Sequence, residues 1–252
     1  MNFRFKAFGL HLLCSIVALT TILAALYLGW YRWPGWYLAD VSRVVLVMAG
    51  VDVVVGPLLT FIIASTKKPR RELARDVGII IAVQLVALVY GTTQLWNGRP
   101  LYYAFSEGVL QLVQAYDINS QEAELGRSEN ANLAPHWYEF PRWIWAPLPE
   151  DPTAREKFVA SVIAGGDDII SMPRYYRPWE KGVPSLRAEL RKIDAVDKYF
   201  MSPDKKILAE RMRAAGLPTD ERNSMPLTGR GRPLLAVFDL HRMQITAVLR
   251  VR

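Results

Sequence analysis

The chain contains 252 residues, of which 51% are hydrophobic, and it has a formal net charge of +7. Nine basic and four acidic residues precede Gly98, so most of the positive charge lies beside apolar segments. That distribution indicates membrane topology and argues against nucleic-acid binding. The one cysteine, Cys14, excludes a disulfide within the chain.

Three long apolar runs occupy residues 7–30, 44–64 and 77–96. Each run reaches the roughly 18 to 20 residues that a membrane-spanning helix needs. The rest of the chain has an ordinary composition and about the size of a typical domain. We therefore predict a membrane protein with a three-helix transmembrane domain at 1–97 and a periplasmic α+β domain at 98–252.

The first run begins like a signal peptide, because Arg4 and Lys6 precede it. The apolar region of a signal peptide is only about 7 to 15 residues long, so this run is too long for that interpretation. Aromatic residues of the kind that anchor a helix at the membrane surface follow it. They are Tyr27, Trp30, Tyr31, Trp33, Trp36 and Tyr37. We expect this helix to be retained.

The short loops predict the orientation. Arg4 and Lys6 precede the first span, and five basic residues lie in the loop at 67–75, whereas the loop at 31–43 has only two. Cytoplasmic loops carry the excess of basic residues, so the N-terminus and the loop at 67–75 are expected in the cytoplasm. The third span then delivers the chain from Gly98 onwards to the periplasm. In a bacterium, the predicted location is therefore the inner membrane, crossed several times.

Each predicted span has a stripe of small or polar residues at helical spacing. The stripes are His11, Ser15, Ala18, Ala25 and Gly29 in the first span, Ala49, Asp52, Gly56 and Thr60 in the second, and Gln84, Ala87 and Gly91 in the third. Such stripes let helices approach closely and hydrogen-bond within lipid. We interpret them as the contacts of a packed three-helix bundle rather than as a transport path.

Asp52 is the most costly residue of the second span. A charge at the centre of a span costs roughly 2.5 to 3.5 kcal/mol on insertion scales, so its carboxyl group should be neutralised, paired or turned inward. Its partner could be Gln84 or His11 of the same bundle, or a group on another protein's helix. Pro57 has no N–H, so we expect it to free the carbonyl of Val53 and to kink the helix near Gly56.

The second domain is predicted to begin and end with a hairpin. Residues 101–105 and 109–116 flank a short glycine-containing connection, and the stretch from Gly231 repeats the stretch from Gly98. We expect the two hairpins to pair into one small antiparallel sheet. Helices are predicted at 152–164, 185–196 and 203–215, capped by Asp151, Ser185 and Ser202 respectively. Residues 135–149 are rich in proline and aromatics and are expected to form an ordered loop.

Motifs of catalysis are missing from the sequence. It has no glycine-rich phosphate loop, nucleophile elbow or paired-cysteine spacing, and His11, His136 and His241 are scattered. Asp167 and Asp168 are better explained by a turn than by acid–base chemistry. We therefore expect no catalytic, cofactor or metal site and no enzymatic activity.

Aromatic residues of the second domain have two main interpretations. They are Trp137, Tyr138, Trp143, Trp145, Tyr175, Tyr176 and Trp179. They could fill a small core, or they could form a surface that binds a partner. Sugar stacking is a third, weaker interpretation.

Several motifs together resemble the TfpX/TfpZ-type type IV pilin accessory proteins of Gram-negative bacteria. They are residues 51–60 (VDVVVGPLLT), Asp76 before an apolar helix with Gln84-Leu85 and Tyr90-Gly91, Arg99-Pro100-Leu101-Tyr102, and residues 225–230 (MPLTGR). The resemblance spans nearly the whole chain and matches least at 119–149. It implies an inner-membrane protein that modulates pilin handling and pilus assembly without known catalysis.

The combined hypothesis is a pilin-specific chaperone or modulator of pilus assembly. It would bind the helix of the major type IV pilin within the membrane and the pilin head in the periplasm. Other pilus assembly components and membrane lipid are further partners, and nucleic acid is not. The candidate partner-binding residues are Asp52, Gly56, Pro57, Thr60, Gln84, Trp143 and Trp145. The alternatives are a membrane-tethered enzyme that modifies pilin with glycan and, ranked last, a sensor.

The predicted topology can be tested with reporter fusions. A reporter that is active only in the periplasm should be active when it is fused after Asn97 and inactive when it is fused after Thr66. A reporter that is active only in the cytoplasm should give the reverse pattern. Equal activity at the two positions, or the opposite pattern, would contradict the prediction.

Overall fold

The computed structural model describes residues 3–65, 68–136, 138–196 and 199–251. Lys67, which the orientation argument uses, Thr66 and Trp137 lie outside the described residues. The chain divides into two compact units. The first consists of residues up to Arg32 together with Asp40–Gly98, and the second of Trp33–Ala39 together with the chain from Arg99 onwards. The predicted fold class, apolar helices followed by an α+β domain, is confirmed.

Three helical segments of the first unit are long and apolar enough to cross a membrane: Phe3–Gly29, Val41–Ile63 and Arg70–Asn97. In chain order, the helices are α1 (Phe3–Gly29), the short α2 (Gly35–Leu38), α3 (Val41–Ala49), α4 (Gly56–Ile63) and α5 (Arg70–Asn97). Helix α2 belongs to the second unit. Because α5 begins at Arg70, the basic residues from there to Arg75 lie on a helix rather than in the expected loop.

A π-helical segment, Gly50–Val55, joins α3 to α4 within the second span. Gly56 donates its N–H to the carbonyl of Val51, five residues back. If the same five-residue spacing continued, the N–H of residue 57 would donate to the carbonyl of Asp52. Residue 57 is a proline and has no N–H, so it cannot donate to that carbonyl. The irregularity lies near Gly56, as expected. The carbonyl that receives a side-chain donor is that of Asp52, whereas the sequence pointed to the carbonyl of Val53.

The second unit is built on a seven-stranded sheet with the order β4-β3-β1-β2-β5-β6-β7. Its strands are β1 (Pro100–Ser106), β2 (Val109–Gln114), β3 (Arg142–Trp145), β4 (Arg177–Pro178), β5 (Ser224–Thr228), β6 (Leu234–Asp239) and β7 (Gln244–Leu249). The predicted hairpins are β1–β2 and β6–β7, and both lie in this sheet. They are not adjacent, because β5 lies between β2 and β6.

The sheet is larger than expected and is mixed rather than antiparallel. Strand β3 runs parallel to β1, and β5 runs parallel to β2. The sequence signal for each strand is weak. Strand β3 lies in the proline-rich stretch that was expected to be a loop, and Pro226 lies inside β5, although proline is normally confined to edge strands or bulges.

Four longer helices complete the second unit: α6 (Ser120–Glu129), α7 (Pro152–Ile163), α8 (Trp179–Glu189) and α9 (Ser202–Ala214). The predicted cap of α7 is confirmed, because Asp151 Oδ2 accepts a hydrogen bond from the N–H of Ala154 at 2.7 Å. Helix α8 begins six residues before Ser185, so that expectation was wrong, and Pro184 lies inside the helix. Ser202 is the first residue of α9 rather than its cap.

Helix α6 was not expected from the sequence. Its cap is Asn119, whose side chain accepts a hydrogen bond from the N–H of Glu122 at 2.8 Å. The helix has only two buried residues, Glu122 and Gly126. Because its apolar stripe is so short, hydrophobic periodicity carries almost no signal for it.

Alternate residues of β1 and β6 pack into different hydrophobic clusters, so both faces of the sheet are covered. On one face, Tyr103 and Phe105 belong to a cluster that includes Leu38 and residues of α8. On the other face, Tyr102 and Ala104 belong to a second cluster. A third cluster joins β6 to α9. The period of two along each strand places its apolar residues on opposite faces.

The segment Trp33–Ala39 is an integral part of the second unit. Leu38 is completely buried in the cluster with Tyr103 and Phe105, and its carbonyl accepts a hydrogen bond from the N–H of Gly231 at 2.7 Å. A Cβ atom at Gly229 would lie 2.6 Å from the carbonyl oxygen of Leu38. The glycine therefore permits the close approach of the two backbones.

We predict that Gly229→Ala destabilises the second unit by about 1 to 3 kcal/mol, because the added methyl group overpacks this contact. Thermal unfolding of the detergent-purified protein, followed by near-UV circular dichroism, would measure the change. Gly9→Ala is the control, since a Cβ atom there would meet nothing within 4 Å. An unchanged midpoint for Gly229→Ala would contradict the packing described here.

Candidate functional site

One chain of hydrogen bonds connects the three spans of the first unit. His11 on α1 contacts the hydroxyl of Thr60 through Nδ1 at 2.6 Å and the side-chain oxygen of Gln84 through Nε2 at 2.8 Å. Gln84 on α5 then donates from its Nε2 to the carbonyl of Asp52 at 3.0 Å. Each span contributes at least one residue, so the network holds the bundle together.

The orientation of the side-chain amide of Gln84 determines which groups of this network donate and which accept. Its amide nitrogen faces a main-chain carbonyl, so its oxygen faces His11 and must accept a hydrogen bond. Nε2 of the imidazole therefore carries a proton. In the neutral imidazole Nδ1 is an acceptor, and the hydroxyl of Thr60 donates to it. Both imidazole nitrogens are satisfied within the bundle.

Gly56 and Pro57 explain why Gln84 can reach the backbone of the second span. Pro57 has no N–H to donate to the carbonyl of Asp52, and the amide of Gln84 donates to it instead. A Cβ atom on Gly56 would overlap the side chain of Gln84. Pro57 therefore leaves the carbonyl of Asp52 as an acceptor, and Gly56 leaves the space through which the amide of Gln84 reaches it.

The carboxyl group of Asp52 is buried, with 4% of the residue exposed. It interacts with the side chain of Gln84. Its Oδ2 atom, however, has no hydrogen-bond partner among the described residues. A buried polar atom without a partner is costly, and more so in lipid than in water. The bundle therefore satisfies the carboxyl group of Asp52 only in part.

A crevice of about 410 Å³ lies beside this carboxyl group. Helices α1 and α5 pack mainly against the second span rather than against each other, which leaves an opening between them. The second span contributes only Asp52 and Thr60 to its lining, and the rest is mostly apolar. The lining residues are Ala7, Leu10, His11, Cys14, Ser15 and Ala18 of α1, and Val77, Ile81, Gln84, Leu85 and Leu88 of α5.

The structure brings together most of the predicted site residues. Asp52, Thr60 and Gln84 line the crevice, and Gly56 and Pro57 shape the backbone next to it. The contact of His11 with Thr60 was not anticipated. The signal for it was present, because both residues belong to the polar stripes of their spans.

Trp143 and Trp145 belong to the second unit and lie on β3, not in a loop. The ring of Trp143 stacks on Tyr103 at 4.5 Å and contacts Trp179 edge-on at 5.4 Å. Trp145 packs against Gly182 of α8. Both rings are only partly exposed and fill the space between the sheet and α8. These contacts match the core interpretation for Trp143, Trp145 and Trp179, whereas Tyr138 is 62% exposed.

Asp168 forms the local contact that the turn interpretation predicted, whereas Asp167 contacts a residue 48 positions away along the chain. Asp168 Oδ1 accepts a hydrogen bond from the N–H of Ile169 at 2.7 Å, and Asp167 Oδ2 accepts one from the amide of Asn119 at 2.5 Å. Within the described ranges, no group of three or more His, Cys, Asp or Glu residues could hold a metal ion.

The chain is similar to three fimbrial assembly proteins of Dichelobacter nodosus. It is 30% identical to the serogroup E1 protein over 116 residues, which is 46% of this chain and 45% of that protein. It is 29% identical over the same length to the protein of serogroups C1 and C2, covering 88% of it, and to the serogroup I protein, covering 45% of it. The chain thus matches less than half the length of two of these relatives. No family model and no solved structure matches.

We predict that Gln84→Leu destabilises the bundle by about 1 to 3 kcal/mol, because it leaves His11 and the carbonyl of Asp52 without their partner. Unfolding of the first unit by dodecyl sulfate in mixed micelles would measure the loss. Gln94→Leu makes the same change at an exposed position of the same helix and should have little effect. Equal stability of the two variants would show that the network contributes nothing.

Proposed function

We propose that this chain is an inner-membrane pilus assembly factor that acts as a chaperone or modulator for the major pilin. The similarity to three proteins named as fimbrial assembly proteins is the observation that carries this proposal. The resemblance to type IV pilin accessory proteins, seen in residues 51–60 and 225–230, points in the same direction. Both observations support a role in pilus assembly.

The crevice supplies a place for a pilin helix within the membrane. For a pilin helix in the same bilayer, the hydrophobic effect does not favour association with another helix, because the lipid tails are equally apolar. Association therefore depends on close packing and on interhelical hydrogen bonds. The crevice offers both, since Ala7, Ser15 and Ala18 are small and Asp52 is polar.

The arrangement of the second unit supports the proposed topology. Residues 33–39 follow the first span, and residues from Arg99 follow the third, so an alternating path puts them on the same side of the membrane. Their packing in one unit is compatible with that path. With the positive-inside bias at Arg4, Lys6 and the loop before α5, that side is the periplasm.

Exposed apolar residues of the second unit are candidates for contact with the pilin head. Helix α7 has no buried residue, and its Ile163 is 81% exposed. Val159 on the same helix is also exposed, one turn earlier. Exposed apolar side chains next to one another are typical of protein-binding surfaces. This helix is a better candidate than Trp143 and Trp145, whose rings pack inside the unit.

Affinity purification tests the proposed function. The tagged chain, purified in mild detergent from a strain that makes its own pili, should retain the major pilin. An unrelated three-span membrane protein with the same tag should not. Deletion of the chain should lower the amount of surface pili without changing the mass of the pilin. Loss of the pilin on purification together with unchanged surface pili would overturn the proposal, and a changed pilin mass would favour a modifying enzyme.

A further inference from the structure

Among the described residues of the bundle, one buried side-chain oxygen has no hydrogen-bond partner. Both nitrogens of His11 are engaged, the hydroxyl of Thr60 donates to His11, and the amide nitrogen of Gln84 donates to the carbonyl of Asp52. Oδ2 of Asp52 has no hydrogen-bond partner among the described residues. The side chains of His11 and Thr60 are thus engaged with groups other than this oxygen.

Asp52 is also one of the residues that line the apolar crevice between α1 and α5. A lipid chain could fill such a space, but it has no group that can donate a hydrogen bond to Oδ2. A second helix could fill it and could also carry a donor. Small residues along α1 would let the backbone of that helix approach closely.

We propose that the crevice receives one transmembrane helix of a partner chain, and that this helix presents a hydrogen-bond donor to Oδ2 of Asp52. The donor is an amine, a hydroxyl or an amide group located at the depth of Asp52 in the bilayer. The identity of the partner as the pilin rests on the proposed function. The donor and its place in the crevice rest on the geometry of the bundle.

This arrangement gives Asp52 a role that differs from structural support. A structural carboxyl group stabilises the isolated bundle, so its removal lowers the stability. A carboxyl group whose donor is on a partner has an unpaired buried oxygen as long as the partner is not bound. Its replacement by an apolar residue should therefore raise the stability of the isolated bundle and weaken the binding of the partner.

Cys14 provides the probe for the experiment. It is the one cysteine of the chain, it is exposed, and it lines the crevice. Maleimide-benzophenone attached to Cys14 in membranes of the native strain should, after irradiation, form an adduct with a membrane-spanning peptide of the pilin. The control combines Cys14→Ser with Val86→Cys, because Val86 is exposed on α5 and is not among the crevice residues.

Substitution of Asp52 tests the donor. Asp52→Leu should lower the yield of the adduct by about threefold to fifteenfold, the range expected for an interhelical hydrogen bond in a membrane. It should also raise the dodecyl sulfate concentration at which the first unit of the purified full-length chain unfolds. Asp52→Asn keeps the shape and should lower the yield as well. Thr93→Val, which also removes a polar group but lies at an exposed position of α5 that is not among the crevice residues, should leave the yield nearly unchanged.

The outcomes separate this inference from the proposed function. Adducts with lipid alone, or with a second copy of this chain, would overturn the inference even where the pilin still co-purifies. If the Asp52→Leu variant captures a pilin helix with the same yield, the proposed hydrogen bond to Asp52 is overturned. Capture of the membrane-spanning helix of another protein, lowered by Asp52→Leu, would support the crevice and its donor and would overturn the pilin as the partner.

Discussion

The membrane bundle depends on one constraint: the carbonyl of Asp52 cannot receive a main-chain hydrogen bond from residue 57, because that residue is a proline. In lipid every main-chain polar group must find a partner inside the protein. Pro57 removes the donor that the π-helical turn would supply to the carbonyl of Asp52, and Gln84 of another helix takes its place. The side-chain oxygen of Gln84 is in turn bound by His11, and His11 is bound by Thr60. A local defect of one helix thereby fixes the position of the other two.

The hydrogen-bond network that joins the three spans also explains the crevice. Helices α1 and α5 are both held against the second span by the polar network, and they do not close on each other along their length. The opening between them ends at Asp52, whose side chain belongs to the network only in part. An interaction site for a further helix follows from the way in which the bundle is stabilised.

The second unit shows how a segment from between two spans can become part of a sheet domain. Leu38 is buried in the cluster that covers one face of the sheet, and its carbonyl is bonded to Gly231. The motif at 225–230 forms most of β5 and leads to that contact. Its position in the sheet gives a structural reason for a motif that the sequence showed only through the resemblance.

The sequence by itself determined the elements whose signal is local. The three apolar runs predicted the spans, the turn at Glu107-Gly108 predicted the first hairpin, and Asp151 predicted the start of α7. The polar stripes also contained part of the crevice lining, namely His11, Ser15, Ala18, Asp52, Thr60 and Gln84, but not most of its apolar residues. Tertiary structure alone decided which of these residues pair, because a hydrogen bond between His11 and Thr60 joins positions 49 residues apart. It also decided the parallel strands β3 and β5, since their proline-rich segments are held by neighbouring strands rather than by local propensity.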